Sequence, residues 1–592
     1  MNFSRAAGTL SASSERIALH LRVIKKLLMF LIVAIAYLLP IAGKSEEQQM
    51  KKEVLEALPG VRISLQNGKD IVLMYAPRRG EGYLTLAEKF TVSSENWKAL
   101  KEINLDPILV EGKEYMIPYQ LLRDEYKYLA VVNIFPEDRF EKGAWHHYPS
   151  KSPIETFGVG LWQASEWFTG RGENFQELMK INNISDPASL SGKEIIIPER
   201  LLLPVFSRPQ LPEDSDLTFG KDAEGEFAGY RIKKGEALYT SVVIRFTGMT
   251  EVDDVNNLVT LVAKRSRIKD MKNIPVGQLI KIPTDLLLAE YLPRTDPRRI
   301  AYELENYEAE RYRKKIVARK LEGVYVILDA GHGGVDLGTM AHGIWEHDYV
   351  YDIMCRIKRK IEVETSAVVL PIIEDKKTQF AVSDSRKLVR NKQGHILTTP
   401  NFLARINSDT SMAVNLRWYL ANSLKSRLTA EGISDEKIVF ASIHADSRHP
   451  MLKGAMVYFP GKRYVADRYG NGNSSRYMSF KEVVEMPYAS FTGEEKTRSE
   501  ALSKDFSKKV IFYFKEEGLP VNQYLPVRNR IIRHGREWIP AVLKGNKIPI
   551  KILLEVANLT NADDARIIRE PDFREKVATA FVRALLDFYG ES

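Results

Sequence analysis

The sequence predicts an α/β fold for the C-terminal half of the chain, a mostly parallel sheet flanked by helices, preceded by small α+β modules. Two observations carry this prediction. Apolar strand-like runs alternate with helical periodicity after about residue 322, which is typical of a parallel sheet. Before that point a two-part phrase recurs about every eighty residues, which indicates a repeated small domain. With 592 residues, of which 44% are hydrophobic, the chain can bury several separate cores.

The N-terminus has the pattern of an export signal. Basic residues Arg22, Lys25 and Lys26 precede an apolar run over 27–43 that contains no charge. Its length lies between a signal-peptide core and a short transmembrane helix, so residues 1–44 are predicted as a signal peptide or a membrane anchor. The basic flank should stay in the cytoplasm. We therefore expect an exported protein of the periplasm or cell envelope, either free or anchored in the cytoplasmic membrane by 27–43.

Charge and cysteine content narrow the partners and the chemistry. A formal net charge of +9 permits nucleic acid, anionic envelope polymers or a membrane surface, and for an exported chain we expect no nucleic acid. The single cysteine, Cys355, excludes an intramolecular disulfide. It lies in a stretch of helical periodicity, so we expect a packed core thiol without chemistry.

Three segments share one sequence pattern: "EGKEYMIPYQLL", "SGKEIIIPERLL" and "VGQLIKIPTDLL", which end at Leu122, Leu202 and Leu287. Each contains a glycine, a short apolar strand, Ile-Pro and a pair of leucines. Upstream lie "GEGYLTLAEKFT", "GVGLWQASEWFTG" and "GEALYTSVVIRFTG", each of which predicts a short amphipathic helix that begins after a glycine. The repetition predicts three copies of one small domain.

These phrases together resemble the LysM carbohydrate-binding module, in which a strand, two helices and a strand ending in Ile-Pro enclose a groove for N-acetylglucosamine-containing glycans. Ile103-Asn104 and Ile181-Asn182 lie between the phrases of the first two copies, as is usual in that family, and the third copy lacks the pair. The resemblance implies three LysM-like modules. Their predicted bounds are 45–130, 131–215 and 216–295. Glycan binding and a role as spacers both stay open for them.

A helical linker over 296–322 and a catalytic domain over 323–592 complete the predicted organisation. The linker is rich in Arg, Lys and Glu, which predicts an exposed helix. In the domain, "VYVILDA", "KIVFASI" and "IKILLEV" are strand-like. Helical periodicity is shown by "HDYVYDIMCRIKRKIE", "EEKTRSEALSKDFSKKVIFYFKEEG" and "DFREKVATAFVRALLDFY".

The three strands end in residues of types that perform chemistry: His332, His444 and Glu555. The carboxyl ends of parallel strands lie along one edge of a sheet, so these side chains are expected to meet there. Glu346 opens the helix after the first strand and could swing back over that edge. Each position alone is more often structural, as a hydrogen-bonded histidine or an ion-paired glutamate.

Two imidazoles and a carboxylate form a catalytic Zn²⁺ set that leaves a fourth position for water. The ion would lower the pKa of that water toward about 7. A second carboxylate outside the ligand set would act as general base and pass the proton to a leaving amine, a role that Glu555 fits. The glycines around His332 would let the backbone turn sharply and bring the ring close to the metal.

The blocks "ILDAGHGGVDLG", "WEHD", "FASIHAD" with "GAMVYF" after it, and "PIKILLEVANLTNADD" resemble, in order, the signatures of zinc-dependent N-acetylmuramoyl-L-alanine amidases. The resemblance covers about 324–588. By motif it implies zinc ligands at His332, Glu346 and His444 and a catalytic glutamate at Glu555. It also implies that the amide between the lactyl group of N-acetylmuramic acid and L-alanine is hydrolysed. Peptidoglycan glycan strands and stem peptides would be the substrate, in cell-wall remodelling or daughter-cell separation.

The sequence departs from that family beside the expected ligands. Asp446 stands where an Asn is usual, Ala557-Asn558 replace a Gly-Phe, and no Arg follows the second strand. None of these is a ligand, so we expect metal binding to persist and substrate positioning to change. Stretches 376–412 and 460–494 are longer than a minimal core needs. They are expected to be surface loops, or else a lid or a binding site for a regulatory protein.

The remaining histidines are not expected to bind the metal. His342 and His347 flank Glu346, but adjacent helix positions face different ways, so His347 is poorly placed to share its metal. The others have no partner at ligand spacing and are expected to be surface or core residues: His146, His147, His395, His449 and His534.

Two other functions stay open. The same ligand set could serve a zinc peptidase or deacylase on another envelope amide, and a peptidase would shorten the stem peptide instead of freeing it from sugar. The domain could also be a non-catalytic cell-wall-binding adaptor that keeps the fold. Retention of two histidines and two carboxylates at strand ends argues against an inactive domain, because such a domain has no physical need for them.

Overall fold

The computed structural model describes residues 54–590, with short gaps. The gaps are 155–158, 189, 191–193, 208–210, 212–214, 312–317 and 390–391. The predicted signal peptide or anchor over 1–44 lies outside the described residues. Within the part that is described, no helix is both long enough and apolar enough to cross a membrane.

Three small units that share one order of elements make up the N-terminal region. Each has an antiparallel hairpin, two helical segments and a closing strand that pairs with the second strand of the hairpin. In the first unit, where an extra strand precedes the hairpin, the elements are β1 Val54–Leu58, β2 Val61–Gln66, β3 Asp70–Tyr75, α1 Tyr83–Phe90, α2 Trp97–Asn104 and β4 Tyr115–Pro118.

Helix α3, Asp124–Ile134, leads into the second unit. The elements of that unit are β5 Arg139–Glu141, β6 Ala144–His147, α4 Leu161–Thr169, α5 Phe175–Asn182 and β7 Ile195–Pro198, followed by the short α6 Pro204–Ser207. In the third unit they are β8 Leu217–Asp222, β9 Gly225–Arg231, a π-helical segment Leu238–Ile244 that continues as α7 Arg245–Thr247, α8 Val252–Arg265 and β10 Leu279–Pro283. The helices and Ile-Pro strands that the sequence predicts are therefore present in all three copies.

The closing strand of each unit is an edge strand whose last residue is a proline: Pro118, Pro198 or Pro283. Alternate residues of the strand point into the core, as Tyr115 and Ile117 do in β4. This alternation explains why the repeated phrase keeps an apolar residue at both of the buried positions of the strand.

A side-chain clamp joins the end of the second helix to the closing strand. Asn104 donates from Nδ2 to the Met116 carbonyl (2.9 Å) and accepts from the Met116 amide (2.8 Å). Asn182 makes the same pair of bonds with Ile196. In the third unit the Oγ of Ser266 accepts from the amide in the middle of β10 (2.8 Å). The third copy therefore keeps half of the clamp with a different residue type, which is why its Ile-Asn pair is missing from the sequence.

The predicted linker contains helix α9, Pro297–Arg311, which is only partly exposed. Ile300 is buried in the core of the first two units. Glu308 is also buried and accepts hydrogen bonds from Arg78 of the first unit and from Lys462 of the C-terminal domain. The charged composition predicts full exposure, but this helix joins two parts of the protein through its buried side chains.

The strands of the C-terminal domain, in chain order, are β11 Tyr325–Ala330, β12 Met340–Ala341, β13 Ile344–Trp345, β14 Val368–Pro371, β15 Ile373–Asp375, β16 Gly394–Ile396, β17 Ile438–Asp446, β18 Met456–Tyr458, β19 Arg468–Tyr469, β20 Ala489–Ser490, β21 Val527–Arg528, β22 Ile531–Arg533, β23 Arg536–Trp538 and β24 Ile550–Asn558. Six of them form one sheet in the order β14-β11-β17-β24-β18-β21. The three predicted strands, β11, β17 and β24, are neighbours and run parallel, as does β14. The pairing of β18 with β21 is parallel as well, so the predicted mostly parallel arrangement is confirmed. Because β18 runs antiparallel to β24, the sheet as a whole is mixed.

Helices cover both faces of this sheet. They are α10 Glu346–Glu364, α11 Thr410–Ala430, α12 Lys481–Glu485, α13 Gly493–Glu516, α14 Ala541–Lys544, α15 Ala562–Ile567 and α16 Pro571–Phe588. Val326 and Leu328 of β11 pack with α10, α13 and α16, whereas Ile327 packs with α11 on the other face. Cys355 lies in the first of these cores, and burial raises its pKa to about 12, so the thiol stays protonated.

Candidate metal-binding active site

The polar residues at the strand ends converge at one edge of the sheet. His332 follows β11, His444 of β17 pairs in register with Glu555 of β24, and Glu346 is the first residue of α10. One nitrogen or oxygen each from His332, Glu346 and His444 lies within 4.8 Å of the others. These three residues, called the ligand group below, could hold a metal ion.

Oε1 of Glu346 is at the centre of the ligand group. It lies 3.1 Å from Nε2 of His332 and 3.1 Å from Nδ1 of His444. Ligands about 2.0–2.2 Å from a tetrahedral zinc ion stand about 3.3 Å apart, so the spacing and the donor types fit that ion. The two rings keep 19% and 17% of their side-chain surface exposed, whereas Glu346 is buried. The group is therefore open to water on the imidazole side.

Neighbouring groups fix the orientation of the ligands. Nδ1 of His332 lies 3.0 Å from Oδ1 of Asp336, which also accepts from the backbone of the same loop. Glu346 accepts from the Thr339 amide at Oε2 (2.9 Å) and from the Ala445 amide at Oε1 (3.0 Å). Because His332 and Glu346 are already held by these contacts, they would lose little freedom on binding a metal.

Two glycines make the close approach possible. A Cβ on Gly331 would lie 1.8 Å from Cε1 of His444, so any side chain there would displace the ring. Gly338 has a φ of +67° and lies against both other ligands, with 2.5 Å between its hypothetical Cβ and Oε2 of Glu346. Packing of the ligand side chains therefore requires Gly331 and Gly338.

The electrostatics of the ligand group favour a bound cation. Burial opposes charge on His332, but Glu346 and Asp336 outweigh it and raise the pKa of this histidine to about 10. Burial likewise opposes charge on Glu346, yet His332 and His444 hold its pKa well below the usual value. A carboxylate that stays ionised between two imidazoles attracts either protons or a metal ion to the rings.

Glu555 lies beside the ligand group and belongs to none of its contacts. Its Oε2 is buried and has no hydrogen-bond partner among the residues that the structure describes. Burial, followed by the carboxylates of Asp446 and Glu346, raises the pKa of Glu555 well above the usual value. A carboxyl group in this state binds and releases a proton readily once a cation is nearby.

The positions that depart from the resembled family hold the loop after β17. Asn558 accepts from the Arg448 amide at Oδ1 (3.0 Å) and donates to the His449 carbonyl from Nδ2 (3.0 Å). Asp446 forms an ion pair with Arg448, with 2.6 Å between Oδ1 and Nε. These residues therefore shape the site through the loop and do not touch the ligand group.

Sequence reasoning did not identify Asp336 and Arg417. Arg417 of α11 donates to the Ala330 carbonyl (2.7 Å) and pairs with buried Asp329, which also accepts from Ser442 of β17. The Arg417–Asp329 ion pair and the bond from Ser442 therefore hold the ends of β11 and β17 together beside the ligand group. The signal for Asp336 was available, since metal-binding histidines commonly use a carboxylate as the partner of the second ring nitrogen and Asp336 follows the predicted ligand His332 by four residues. Arg417 is distant in sequence and gave no local signal.

Within the described residues, no other histidine joins a metal-binding group. His347 is buried near Gly394 of the first long stretch, and burial lowers its pKa to about 4. His342 lies 3.4 Å from the Thr560 carbonyl, and His449 stacks on Tyr239 of the third unit.

The two long stretches are packed against the domain. The Val335 amide donates to the Ala404 carbonyl (3.0 Å), so the first stretch forms a wall beside the loop that carries His332. In the second stretch, the Asn471 amide donates to the Tyr419 hydroxyl, which donates to the Pro487 carbonyl. Binding of a regulatory protein by either stretch stays a prediction.

A cavity of about 1240 Å³ lies between the first unit, α9 and the C-terminal domain. Its lining includes Arg79, Tyr302 and Lys462. Neither the ligand group nor Glu555 is among the described residues that line it, so its size says nothing about the metal site.

The sheet, the ligand group at its carboxyl edge and the buried glutamate beside it define a hydrolase domain of the α/β class. Residues 326–587 match the family model described as N-acetylmuramoyl-L-alanine amidase. This part of the chain is an N-acetylmuramoyl-L-alanine amidase domain, whose substrate is peptidoglycan, and the predicted family is confirmed. No curated protein sequence matches the chain.

Three solved amidase structures are similar to this chain. Ami1 from Mycobacterium smegmatis is 19% identical with a TM-score of 0.28, and the match covers 46% of this chain and 98% of that one. CwlD from Clostridioides difficile, solved with the GerS lipoprotein, is 18% identical with a TM-score of 0.27 and coverages of 45% and 98%. The catalytic domain of CwlV from Bacillus (Paenibacillus) polymyxa var. colistinus is 17% identical with a TM-score of 0.26, and the match covers 45% of this chain and 99% of that one. Each match spans nearly all of the solved chain and under half of this one.

Proposed function

We propose that this protein is an exported, zinc-dependent peptidoglycan amidase that frees stem peptides from glycan strands in cell-wall remodelling or daughter-cell separation. The observation that carries the proposal is the convergence of His332, Glu346 and His444 beside Glu555 within the amidase domain. The bond cleaved is the amide between the lactyl group of N-acetylmuramic acid and the L-alanine of the stem peptide.

We assign the ligand group as the holder of the zinc ion. Asp336 binds Nδ1 of His332 and leaves Nε2 free for the metal. A zinc ion held there would supply Lewis acidity and lower the pKa of a bound water to about 7. The backbone amides of Thr339 and Ala445 keep the Glu346 carboxylate turned toward both rings.

Glu555 performs the proton transfers in this proposal. Its carboxylate takes a proton from the attacking water as the new bond to the carbonyl carbon forms. It then gives that proton to the L-alanine nitrogen as the C–N bond breaks, and the stem peptide leaves with a free amine. The burial that raises the pKa of Glu555 supports this role, because it makes the carboxylate a stronger base than an ordinary glutamate.

The three N-terminal units are proposed to be LysM-like modules that contact the glycan strands. Their shared order of elements and their Ile-Pro closing strands support this assignment. Calorimetric titration of the full chain with soluble N-acetylglucosamine oligomers tests it. Measurable binding heat supports glycan contact, and its absence in an active preparation leaves a spacer role. Residues 1–44 are proposed as the signal peptide or anchor that places the chain in the envelope.

Digestion of purified sacculi by the full chain tests the amidase activity. We expect intact stem peptides and peptide-free glycan after zinc loading, and no products after chelation or with the substitution Glu555→Gln. Shortened peptides still attached to sugar would instead indicate the peptidase. Binding to sacculi without products from the zinc-loaded protein would indicate the adaptor.

A further inference from the structure

A buried polar network connects the catalytic edge of the sheet to the third N-terminal unit. Asp446 of β17, Glu555 of β24, Tyr458 of β18 and Arg528 of β21 lie on four adjoining strands of the sheet, and Tyr458 pairs in register with Arg528. All four side chains contain a buried polar atom without a hydrogen-bond partner among the described residues. Partnerless buried groups cost free energy, so the surroundings must hold this network in place.

The third unit supplies part of those surroundings. Its Gly248 carbonyl accepts from Nη1 of Arg528 (2.8 Å), and its Thr250 carbonyl accepts from the His449 amide (2.9 Å). The ring of His449 also stacks on Tyr239, with 5.2 Å between centroids. The segment of the third unit around residues 248–251 is therefore docked onto the loop that follows β17, the strand that contains His444.

Arg448 is the residue that joins the two parts. Its Nε lies 2.6 Å from Oδ1 of Asp446, and its Nη1 pairs with Glu251, the residue that precedes α8 in the third unit. Arg448 is mostly buried, and both carboxylates are mostly buried as well. A mostly buried guanidinium held between two carboxylates has a defined position, because its hydrogen bond to Glu251 is charge-assisted and directional and its ion pair with Asp446 is shielded from solvent.

The position of Arg448 matters because of what surrounds it. Asp446 is the last residue of β17, two positions beyond His444, which pairs in register with Glu555 of β24. The ion pair with Arg448 therefore holds the end of the strand that carries His444, and this anchor would be lost if Arg448 moved away.

We propose that Glu251 of the third unit is a positioning residue for the amidase centre, because it holds Arg448 against Asp446 beside Glu555. The third unit is then part of the catalytic unit, and its docking fixes the end of β17 next to the strand that carries Glu555. This proposal rests on the amidase function proposed above and goes beyond it in naming how an N-terminal unit acts on the reaction.

The test compares Glu251→Gln with Asp254→Asn in the full, zinc-loaded chain. Asp254 lies three residues after Glu251, in α8, and accepts from the His534 amide (2.6 Å). The control therefore removes a carboxylate from the same interface without touching Arg448. We expect kcat for stem-peptide release to fall about tenfold in Glu251→Gln, with KM and bound zinc unchanged, and to stay at the unsubstituted level in Asp254→Asn.

A double-substitution cycle separates positioning from general damage to the interface. In the Asp446→Asn background Arg448 has already lost its ion-pair partner on β17, so adding Glu251→Gln should lower kcat less than about twofold. An equal loss in both backgrounds, or a Glu251→Gln protein with normal kcat, overturns the proposal.

A second measurement does not depend on activity. Amide hydrogen exchange over 446–452 should become faster in Glu251→Gln and stay unchanged in Asp254→Asn. Unchanged exchange in both proteins overturns the proposed positioning role of Glu251 even if no amidase activity is found. Loss of the proposed function would instead appear as absence of released stem peptides from the unsubstituted protein.

Discussion

Oδ1 of Asp336 lies 3.0 Å from Nδ1 of His332, on the opposite side of the ring from Glu346. On binding of the proposed zinc ion, this contact would keep the imidazole proton on Nδ1 and leave the lone pair of Nε2 for the metal. It also restrains rotation of the ring, because Asp336 is itself held by the Gly338 amide. In the proposed zinc site, Asp336 would therefore contribute to metal affinity through the ring that it orients.

Substitution of Asp336 by Ala should weaken zinc binding by about 10–100-fold, because the His332 ring loses its orienting partner. Competition with a chromogenic chelator measures the affinity. The exposed Asp572, which pairs with Lys576 on the surface, provides the matched control Asp572→Ala. Equal zinc affinity in the two proteins would show that the ring is held by other contacts.

Glu555→Gln should reduce stem-peptide release by a factor of about 10²–10⁴, which is the usual contribution of a general acid–base group. Bound zinc should not change, since Glu555 lies outside the ligand group. The midpoint of thermal unfolding should stay equal or rise, because a neutral amide avoids the cost of burying a carboxylate. Elemental analysis and thermal scans accompany the assay, and a loss of zinc would contradict the assignment.

Gly331→Ala should abolish tight zinc binding, because the new methyl group would occupy the space of the His444 ring. The protein should also become less stable by about 1–3 kcal/mol, as overpacked sites usually do. Gly493→Ala serves as control, since a Cβ at that position meets nothing within 4 Å. Zinc content and chemical denaturation are measured on both, and normal zinc content in Gly331→Ala would mean that the ligand ring can move without loss.

Lys551 predicts a pH dependence of stability. It is buried at the start of β24 and donates to the Ser499 hydroxyl (2.7 Å), and burial lowers its pKa to about 7. The unfolded chain has a lysine pKa of about 10.4, so it binds more protons than the folded protein between these values. The free-energy penalty of burying the charged Lys551 lowers the stability fully below about pH 7, and it disappears as the pH rises toward about 10.4.

Lys551→Met should therefore reduce the gain in unfolding free energy between pH 7 and 10 by at least about 1 kcal/mol. Urea denaturation at several pH values measures this gain in the two proteins. The exposed Lys576, substituted in the same way, should leave the pH profile as it is. Parallel profiles for Lys551→Met and the unsubstituted protein would show that the ammonium reaches water in the folded state.

The sequence predicted the central sheet and the site residues because both signals are local. Continuous apolar runs identify buried parallel strands, and a polar residue directly after such a run must lie at the sheet edge. His332, His444 and Glu555 were predicted in this way, and the structure brings them to one edge of the sheet. The packing reason for Gly331 needed the structure, because the contact joins residues more than a hundred positions apart.

Other features had no readable signal. The third unit docks through the carbonyls of Gly248 and Thr250, and a backbone carbonyl is present at every residue. The clamp in that unit uses Ser266 where the other units use Asn, so the Ile-Asn pair of the first two copies does not identify it. The charged composition of α9 concealed the burial of Ile300 and Glu308, because a few buried side chains are enough to dock a helix.

The prolines that end the closing strands have a consequence for a chain with three similar sheets. Pro118, Pro198 and Pro283 each lie on an edge strand, where a free amide would invite a strand from another copy to add on. Proline has no amide hydrogen to offer. Exchange of strands between tandem repeats is thereby discouraged, so the duplication of one small domain did not create a hazard of intertwined or polymerised chains.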